Sequence, residues 1–245
     1  MDIPWVEVAF ADSGNARVLG APWWKAKHGP DSFALYFMLS LGTVVRMYEE
    51  GTGLDAQAER VLLALHEAGH ATIVNGLGLE VGGLRINSDR PQTFGGRPAL
   101  ARYASIDIEF PTTGPAVAAV ALAGWLAAEA WLTMCNGGAR PSVDSTSLAF
   151  AYLGAADDHD FIVGRKTDEP TAYLYGRALP PAGWDGRVVV VDEIARTVGR
   201  LLTEDSQRFE RMVYLAQHAV GTGTVPRDAV AQILEPPGWA VGAIG

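Results

Sequence analysis

Two histidines and a glutamate stand at a spacing that suits metal chemistry. His66 and His70 are four residues apart, and Glu67 follows the first of them, within an apolar run without proline over residues 62–74. Such a run predicts a helix, on which residues four apart share one face, so both imidazoles can bind one metal ion. Glu67 then lies beside the ion, where its carboxylate can take a proton from bound water. Chance placement on a buried helix is the disfavoured alternative, because His and Glu are seldom buried without a partner.

The pattern H-E-x-x-H is typical of zinc-dependent peptidases. A catalytic zinc ion needs a third protein ligand and an open position for water. The acidic cluster at residues 157–160 is the densest group of ligand types downstream, although most acidic runs are solvated turns or helix caps. Spacing alone does not choose among the downstream candidates, which are Glu129, Asp144, Asp157, Asp158, His159 and Asp160.

The elements that must position these side chains follow from local signals. Asp55 is placed to cap the motif helix, and the glycines within residues 76–78 are placed to end it. Residues 79–87 and 102–110 alternate in polarity as strands do, and the turn-forming residues 88–96 between them predict a loop. A free edge on the strand at 79–87 can pair with an extended substrate backbone, and an ordinary hairpin packed on the core is the equal alternative.

The rest of the chain is mostly helical by its pattern. Residues 1–50 are expected to form an N-terminal arm and a helix from about residue 31, and residues 51–245 one domain. The segment 164–187, rich in proline and glycine, is expected to be irregular, either as a boundary or as a long flap. We therefore predict a mainly α fold with a small β-sheet, of the α+β class. Further helices are expected at residues 116–134, 148–152, 188–202, 204–220 and 226–234.

Composition narrows the classes of function and compartment. The 245 residues carry a formal net charge of −9 and no basic cluster, so we do not expect nucleic acid as a partner. Cys135, the single cysteine of the sequence, excludes an intrachain disulfide and fits a reducing, cytoplasmic setting. The apolar stretches 33–45 and 114–135 are interpreted as core helices, because the first is short and the second contains Glu129. Membrane contact is therefore not expected.

Several segments resemble the peptidase domain of the FtsH-type AAA+ zinc proteases. Residues 66–71 read HEAGHA, which is typical of that family and is the specific part of the likeness. Residues 122–129 are similar to the family's helix in which a glycine precedes AAE, and residues 154–158 are similar to its GASND segment. With a looser likeness in the closing helices, the resemblance covers residues 55–235.

The resemblance implies a zincin-like fold with H-E-x-x-H on a central helix. It also implies that zinc is bound by His66, His70 and Asp158. Glu67 is the general base by the same likeness. The gap before the third of these ligands is longer than the family usually shows, so other candidates for that place stay open: Asp157, His159 and Glu129.

The family's ATPase module has no counterpart here, because the sequence contains no G-x-x-x-x-G-K-[ST] loop. We therefore expect a zinc-dependent endopeptidase that hydrolyses unfolded or flexible polypeptides without ATP. A homo-oligomer or a separate ATPase partner is compatible with the sequence. Two alternatives stay open: an intramembrane or membrane-associated metalloprotease, and a catalytically silent relative that serves as a binding or assembly module.

Overall fold

The computed structural model is mostly helical with a small antiparallel sheet, which confirms the α+β class expected from the sequence. The expected helix from residue 31, the segment 164–187 and the acidic cluster 157–160 lie outside the described residues. The structure describes residues 6–10, 16–20, 54–87, 92–94, 97–99, 103–109, 111, 114–142, 145–154 and 191–244.

The helices predicted within these ranges are present, with ends that differ by a few residues. In chain order the elements are β1 (Val6–Phe10), β2 (Ala16–Gly20), α1 (Ala56–Gly76), β3 (Val81–Asn87), β4 (Gln92–Phe94), β5 (Arg97–Ala99), β6 (Tyr103–Ile108), α2 (Gly114–Cys135), α3 (Thr146–Gly154), α4 (Val191–Thr203), α5 (Ser206–Thr222), β7 (Thr224–Val225) and α6 (Arg227–Leu234).

Helix α1, which carries the two histidines, begins and ends where local signals predict. The Asp55 carboxylate accepts a hydrogen bond from the backbone N–H of Ala58 at 2.7 Å, as an N-cap does. Gly78 follows the helix with a φ of +74°, and its N–H and that of the next residue donate to carbonyls of the last turn. This pair of bonds is a Schellman motif, which satisfies the final carbonyls of the helix.

Strand β3 is the centre of a three-stranded sheet with the order β6-β3-β7. On one side, β6 pairs antiparallel with β3, and the register shifts between Val81 and Leu84. On the other side, β7 places Val225 opposite Leu84, and the Ile86 N–H donates to the Gly223 carbonyl at 2.8 Å. The two strands expected at this point of the sequence are therefore confirmed, and a third strand joins them.

The prediction of a free edge on the strand at residues 79–87 is wrong, because β7 occupies that edge at Leu84 and Arg85. The two residues of β7 are too few to show a strand pattern, and they lie far along the chain from β3. Both β3 and β6 pack on α1, as the alternative of a hairpin on the core requires. Strands β6 and β7 are the two outer strands of this sheet in the described part of the chain, and β6 is the longer of them.

Part of the segment 88–96 is a strand, so the loop prediction is wrong for residues 92–94. Strands β4 and β5 pair with each other antiparallel. In the sequence they are separated by two consecutive glycines, a dipeptide that favours a two-residue hairpin connection. The turn-forming residues of this segment therefore connect two short paired strands, β4 and β5. Strands β1 and β2 also pair antiparallel, within the N-terminal arm.

Helix α2 belongs to the core, although its length and composition would suffice to cross a membrane. It packs against α1, α3 and α4, and Trp125 near its middle is fully buried. A buried core helix of a globular domain meets the same criteria of length and apolarity. On the side of α2 that faces α1, Ala123 and Ala127 lie against Gly69.

The chain that follows α6 closes over the C-terminal end of α1. The Gly238 N–H donates to the Asn75 carbonyl at 2.8 Å, and the Ala240 N–H donates to the Gly76 carbonyl at 2.7 Å. The side-chain amide of Asn75 is buried and donates to the Leu234 carbonyl at 2.9 Å. These bonds satisfy backbone groups at the helix end and hold the C-terminal segment against it.

Trp239 completes this contact. A Cβ at Gly76 would come within 2.6 Å of the indole ring, so α1 ends on a residue whose backbone the ring can approach. The guanidinium carbon of Arg208 lies 3.5 Å from the ring centroid, a cation–π contact. Burial lowers the pKa of Arg208, and the charges of Asp205 and Glu204 oppose that shift. A guanidinium group stays charged in proteins, so the cation–π contact is kept.

Candidate metal centre

Helix α1 brings the two candidate ligands face to face. The Nε2 atoms of His66 and His70 are 3.0 Å apart, and the ring planes stand at 80° with centroids 4.6 Å apart. The two side chains are only 8% and 6% exposed, respectively. The expectation that both imidazoles lie on one face of a helix is confirmed. Two buried imidazoles whose Nε2 atoms meet in this way can share a proton or a cation.

The orientation of His70 is set by helix α2. Its Nδ1 lies 2.7 Å from the backbone oxygen of Val120. A carbonyl oxygen can only accept, so Nδ1 carries the proton and donates it. In the neutral ring, Nε2 then carries a lone pair and no proton, and that lone pair faces His66. Metal-binding histidines commonly donate their other ring N–H to a carbonyl or carboxylate in this way.

The ring of His66 rests against the same helix at Gly124. An added Cβ at that position would come within 2.5 Å of Cε1, 2.6 Å of Nε2 and 2.7 Å of Nδ1 of the ring. Real side chains do not make such contacts, so the absence of a side chain at 124 creates the space that the imidazole occupies. Helix α2 thus holds both histidines. The ring of His66 fits into the space at Gly124, and the ring of His70 donates a hydrogen bond to Val120.

The geometry of the two rings fits a zinc ion. Two nitrogens that each lie about 2.0–2.1 Å from a tetrahedral zinc ion are about 3.3 Å apart. The observed separation of the Nε2 atoms of His66 and His70, 3.0 Å, is close to that value. In the metal-free pair, Nε2–H of His66 can donate to the lone pair of His70. A cation bound by both nitrogens would take the place of that proton, which would be released.

Glu67, the expected general base, follows His66 directly on α1 and is partly buried. At 3.6 residues per turn, its side chain leaves the helix about 100° around the axis from that of His66 and about 60° from that of His70. The carboxylate therefore lies to the side of the imidazole pair. That direction suits a base beside an ion better than a ligand to it.

No third His, Cys, Asp or Glu groups with the two imidazoles among the residues that the structure describes. Asp158, the third ligand implied by the family resemblance, lies outside those residues, as do Asp144 and the rest of the cluster at 157–160. Glu129 is described, and its carboxylate accepts a hydrogen bond from Nε of Arg140 in the segment that follows α2. The identity of the third ligand stays a prediction.

Two contributions from α2 were not found from the sequence. The first is the backbone carbonyl of Val120. Every residue has such a carbonyl, so the residue type does not indicate which one accepts the hydrogen bond. The second is the space at Gly124, and here a signal exists. A glycine inside a helix costs about 0.5–1 kcal/mol relative to alanine. An isolated glycine in an alanine-rich helix therefore indicates a packing reason at that position.

Comparison with known proteins assigns no family to the chain. A scan against protein-family models finds no match, and a search of curated proteins finds none either.

Proposed function

We propose that this chain is a zinc-dependent endopeptidase with a zincin-like fold. The observation that carries the proposal is the buried pair His66 and His70, whose Nε2 atoms are 3.0 Å apart on one face of α1. The hydrogen bond from His70 to Val120 supports it, because this bond turns a ring lone pair toward the place of the ion. Glu67 on the next position of the same helix supplies a base.

The residues of the proposed site have two roles in hydrolysis: some hold the ion, and one moves a proton. His66, His70 and, by the family resemblance, Asp158 would hold the ion. When bound, zinc supplies a Lewis acid that polarises the scissile carbonyl and lowers the pKa of a water molecule. Glu67 takes the proton that the water loses as its oxygen bonds to the carbonyl carbon. The same carboxylate then gives that proton to the amide nitrogen as the C–N bond breaks.

The sheet beside α1 supports a polypeptide as substrate. Strand β6 is one of the two outer strands of the β6-β3-β7 sheet among the described residues, and it packs on the helix that carries the histidines. An extended peptide that adds to this edge would lie next to that helix. Such pairing uses backbone hydrogen bonds, which give affinity with little dependence on side chains. The preferred substrate is therefore an unfolded or flexible segment, bound through its backbone.

The experiment that tests the proposal combines metal analysis with a hydrolysis assay. We expect the purified chain to contain a single zinc ion and to cleave a loose, casein-like substrate. A chelator should stop the reaction, and added zinc should restore it. A chain that binds no zinc, and gains no activity when zinc is supplied, contradicts the proposal. A chain that binds zinc without hydrolysing any loose substrate is instead the silent binding module.

A further inference from the structure

Helices α1 and α2 approach each other at two glycines, and each glycine serves a different purpose. A Cβ added at Gly69 of α1 would lie 2.4 Å from the carbonyl oxygen of Ala123 and 2.6 Å from the Cβ of Ala127. Gly69 therefore lets the two helix backbones come close. A Cβ added at Gly124 of α2 would instead meet three atoms that all belong to the ring of His66. Gly124 makes room for one side chain, and that side chain is a candidate metal ligand.

The second histidine is held by the same helix one turn earlier. The backbone oxygen of Val120 accepts a hydrogen bond from Nδ1 of His70 at 2.7 Å. Because this bond holds the His70 ring, a displacement of the His66 ring changes the separation between the two Nε2 atoms, which is 3.0 Å.

We infer that Gly124 is a positioning residue that sets the separation between the Nε2 atoms of His66 and His70. This inference rests on the proposed function, because it takes the two imidazoles to be ligands of one ion. The missing Cβ gives space to the His66 ring, and the hydrogen bond to Val120 holds the His70 ring. A methyl group at 124 displaces the His66 ring while the His70 ring stays in place. The two nitrogens then no longer converge on a single cation.

The first test measures metal binding by the full chain with alanine at this position. In Gly124→Ala we expect the zinc dissociation constant to rise by about 10- to 100-fold, the usual effect of disturbing groups that orient ligands. The absorption spectrum of bound Co²⁺ should change as well, because it reports ligand geometry. The matched control is Gly199→Ala on α4, where an added Cβ meets nothing within 4 Å. This control should leave both readouts unchanged.

The second test uses thermal unfolding of the metal-free protein in a double-mutant cycle. Gly124→Ala should lower the Tm when His66 is present. In the background of His66→Ala the same change should leave the Tm unchanged or raise it, because the ring is gone and alanine favours the helix. Gly69→Ala should lower the Tm in both backgrounds, since its clash is with α2 itself. A Gly124→Ala chain that folds only when His66 is replaced supports the inference.

Three results would overturn the inference: an unchanged zinc affinity with an unchanged Co²⁺ spectrum, an equal loss of Tm in both backgrounds, or failure of Gly124→Ala to fold in both. Each would mean that Gly124 serves helix packing in the way that Gly69 does. Failure of the unsubstituted chain to bind zinc would reject the metal site itself. The double-mutant cycle on the metal-free protein separates that result from failure of the inference. It measures the contact between Gly124 and His66 whether or not zinc binds.

Discussion

The imidazole of His70 donates from Nδ1 to the backbone oxygen of Val120, which lies 2.7 Å away and fifty residues further along the chain. This bond selects the tautomer of His70 and turns the lone pair of Nε2 toward His66. The acceptor is a backbone atom, so no substitution of the Val120 side chain removes it directly. The arrangement of the two imidazoles therefore depends on the distance between α1 and α2, where small residues of the two helices face each other.

Replacing Glu67 by glutamine should reduce hydrolysis of a loose substrate by about 10²–10⁴-fold while zinc stays bound, because the amide cannot accept the proton. Zinc content and rate would be measured on the same preparation. The matched control is Glu204→Gln, since Glu204 is an exposed residue whose ion pair with Arg200 contributes little. Loss of zinc from the Glu67 variant would show that this carboxylate holds the ion instead.

Zinc should stabilise the chain against unfolding. At a free zinc concentration about 100 times the dissociation constant, the free energy of unfolding should rise by about 2.7 kcal/mol. The gain should be absent in His66→Ala and intact in His218→Ala, since His218 lies on α5 and its ring contacts that of Tyr214. Thermal unfolding with and without a chelator measures both. Equal gains in the two variants would place the zinc elsewhere.

The third ligand can be identified by substitution within the acidic cluster. We expect Asp158→Ala to lose zinc and Asp157→Ala to keep it, measured by metal analysis after dialysis. In a zinc-loaded crystal, an Asp158 oxygen should lie about 2.0–2.2 Å from the ion, together with both histidines. Zinc retained by the Asp158 variant would move the assignment to His159, Asp157 or Glu129, whichever substitution removes the metal.

The C-terminal segment should contribute to the stability of the motif helix. Trp239→Ala removes the ring that packs on Gly76 and contacts Arg208. Because the indole is partly buried, we expect the free energy of unfolding to fall by about 1–3 kcal/mol, measured by urea denaturation. Val241→Ala, two residues further, is the control, since Val241 is 68% exposed. The control should change stability by less than about 0.5 kcal/mol.

The proposed peptidase should cleave unstructured polypeptides and leave stable folded domains intact. Pairing with a strand edge needs a backbone that is already unfolded, and opening a folded domain costs about 5–15 kcal/mol. ATP should have no effect, because the sequence has no phosphate-binding loop of the P-loop type. Incubation with a casein-like substrate and a stable folded domain, with and without ATP, tests this. Stimulation by ATP, or degradation of the folded domain, would contradict the prediction.

Features that depend on neighbours in sequence could be predicted. The cap at Asp55, the glycine end of α1 and the shared face of His66 and His70 all follow from bonds and angles within one or two turns. The strands β3 and β6 also followed from local alternation. Two expectations were wrong for the opposite reason: the free edge at residues 79–87 and the loop at residues 92–94 both depend on which strand lies alongside.

The sequence by itself determined the chemistry on offer, namely two imidazoles and a carboxylate on one helix, because helical periodicity is a property of contiguous residues. Only the tertiary structure decided how that chemistry is held. It placed the Val120 carbonyl within reach of His70 and the bare backbone of Gly124 beneath His66. Which helix faces α1, and how closely, is decided by packing between residues far apart in the chain. No local pattern encodes that distance, and small residues facing each other across the two helices allow it.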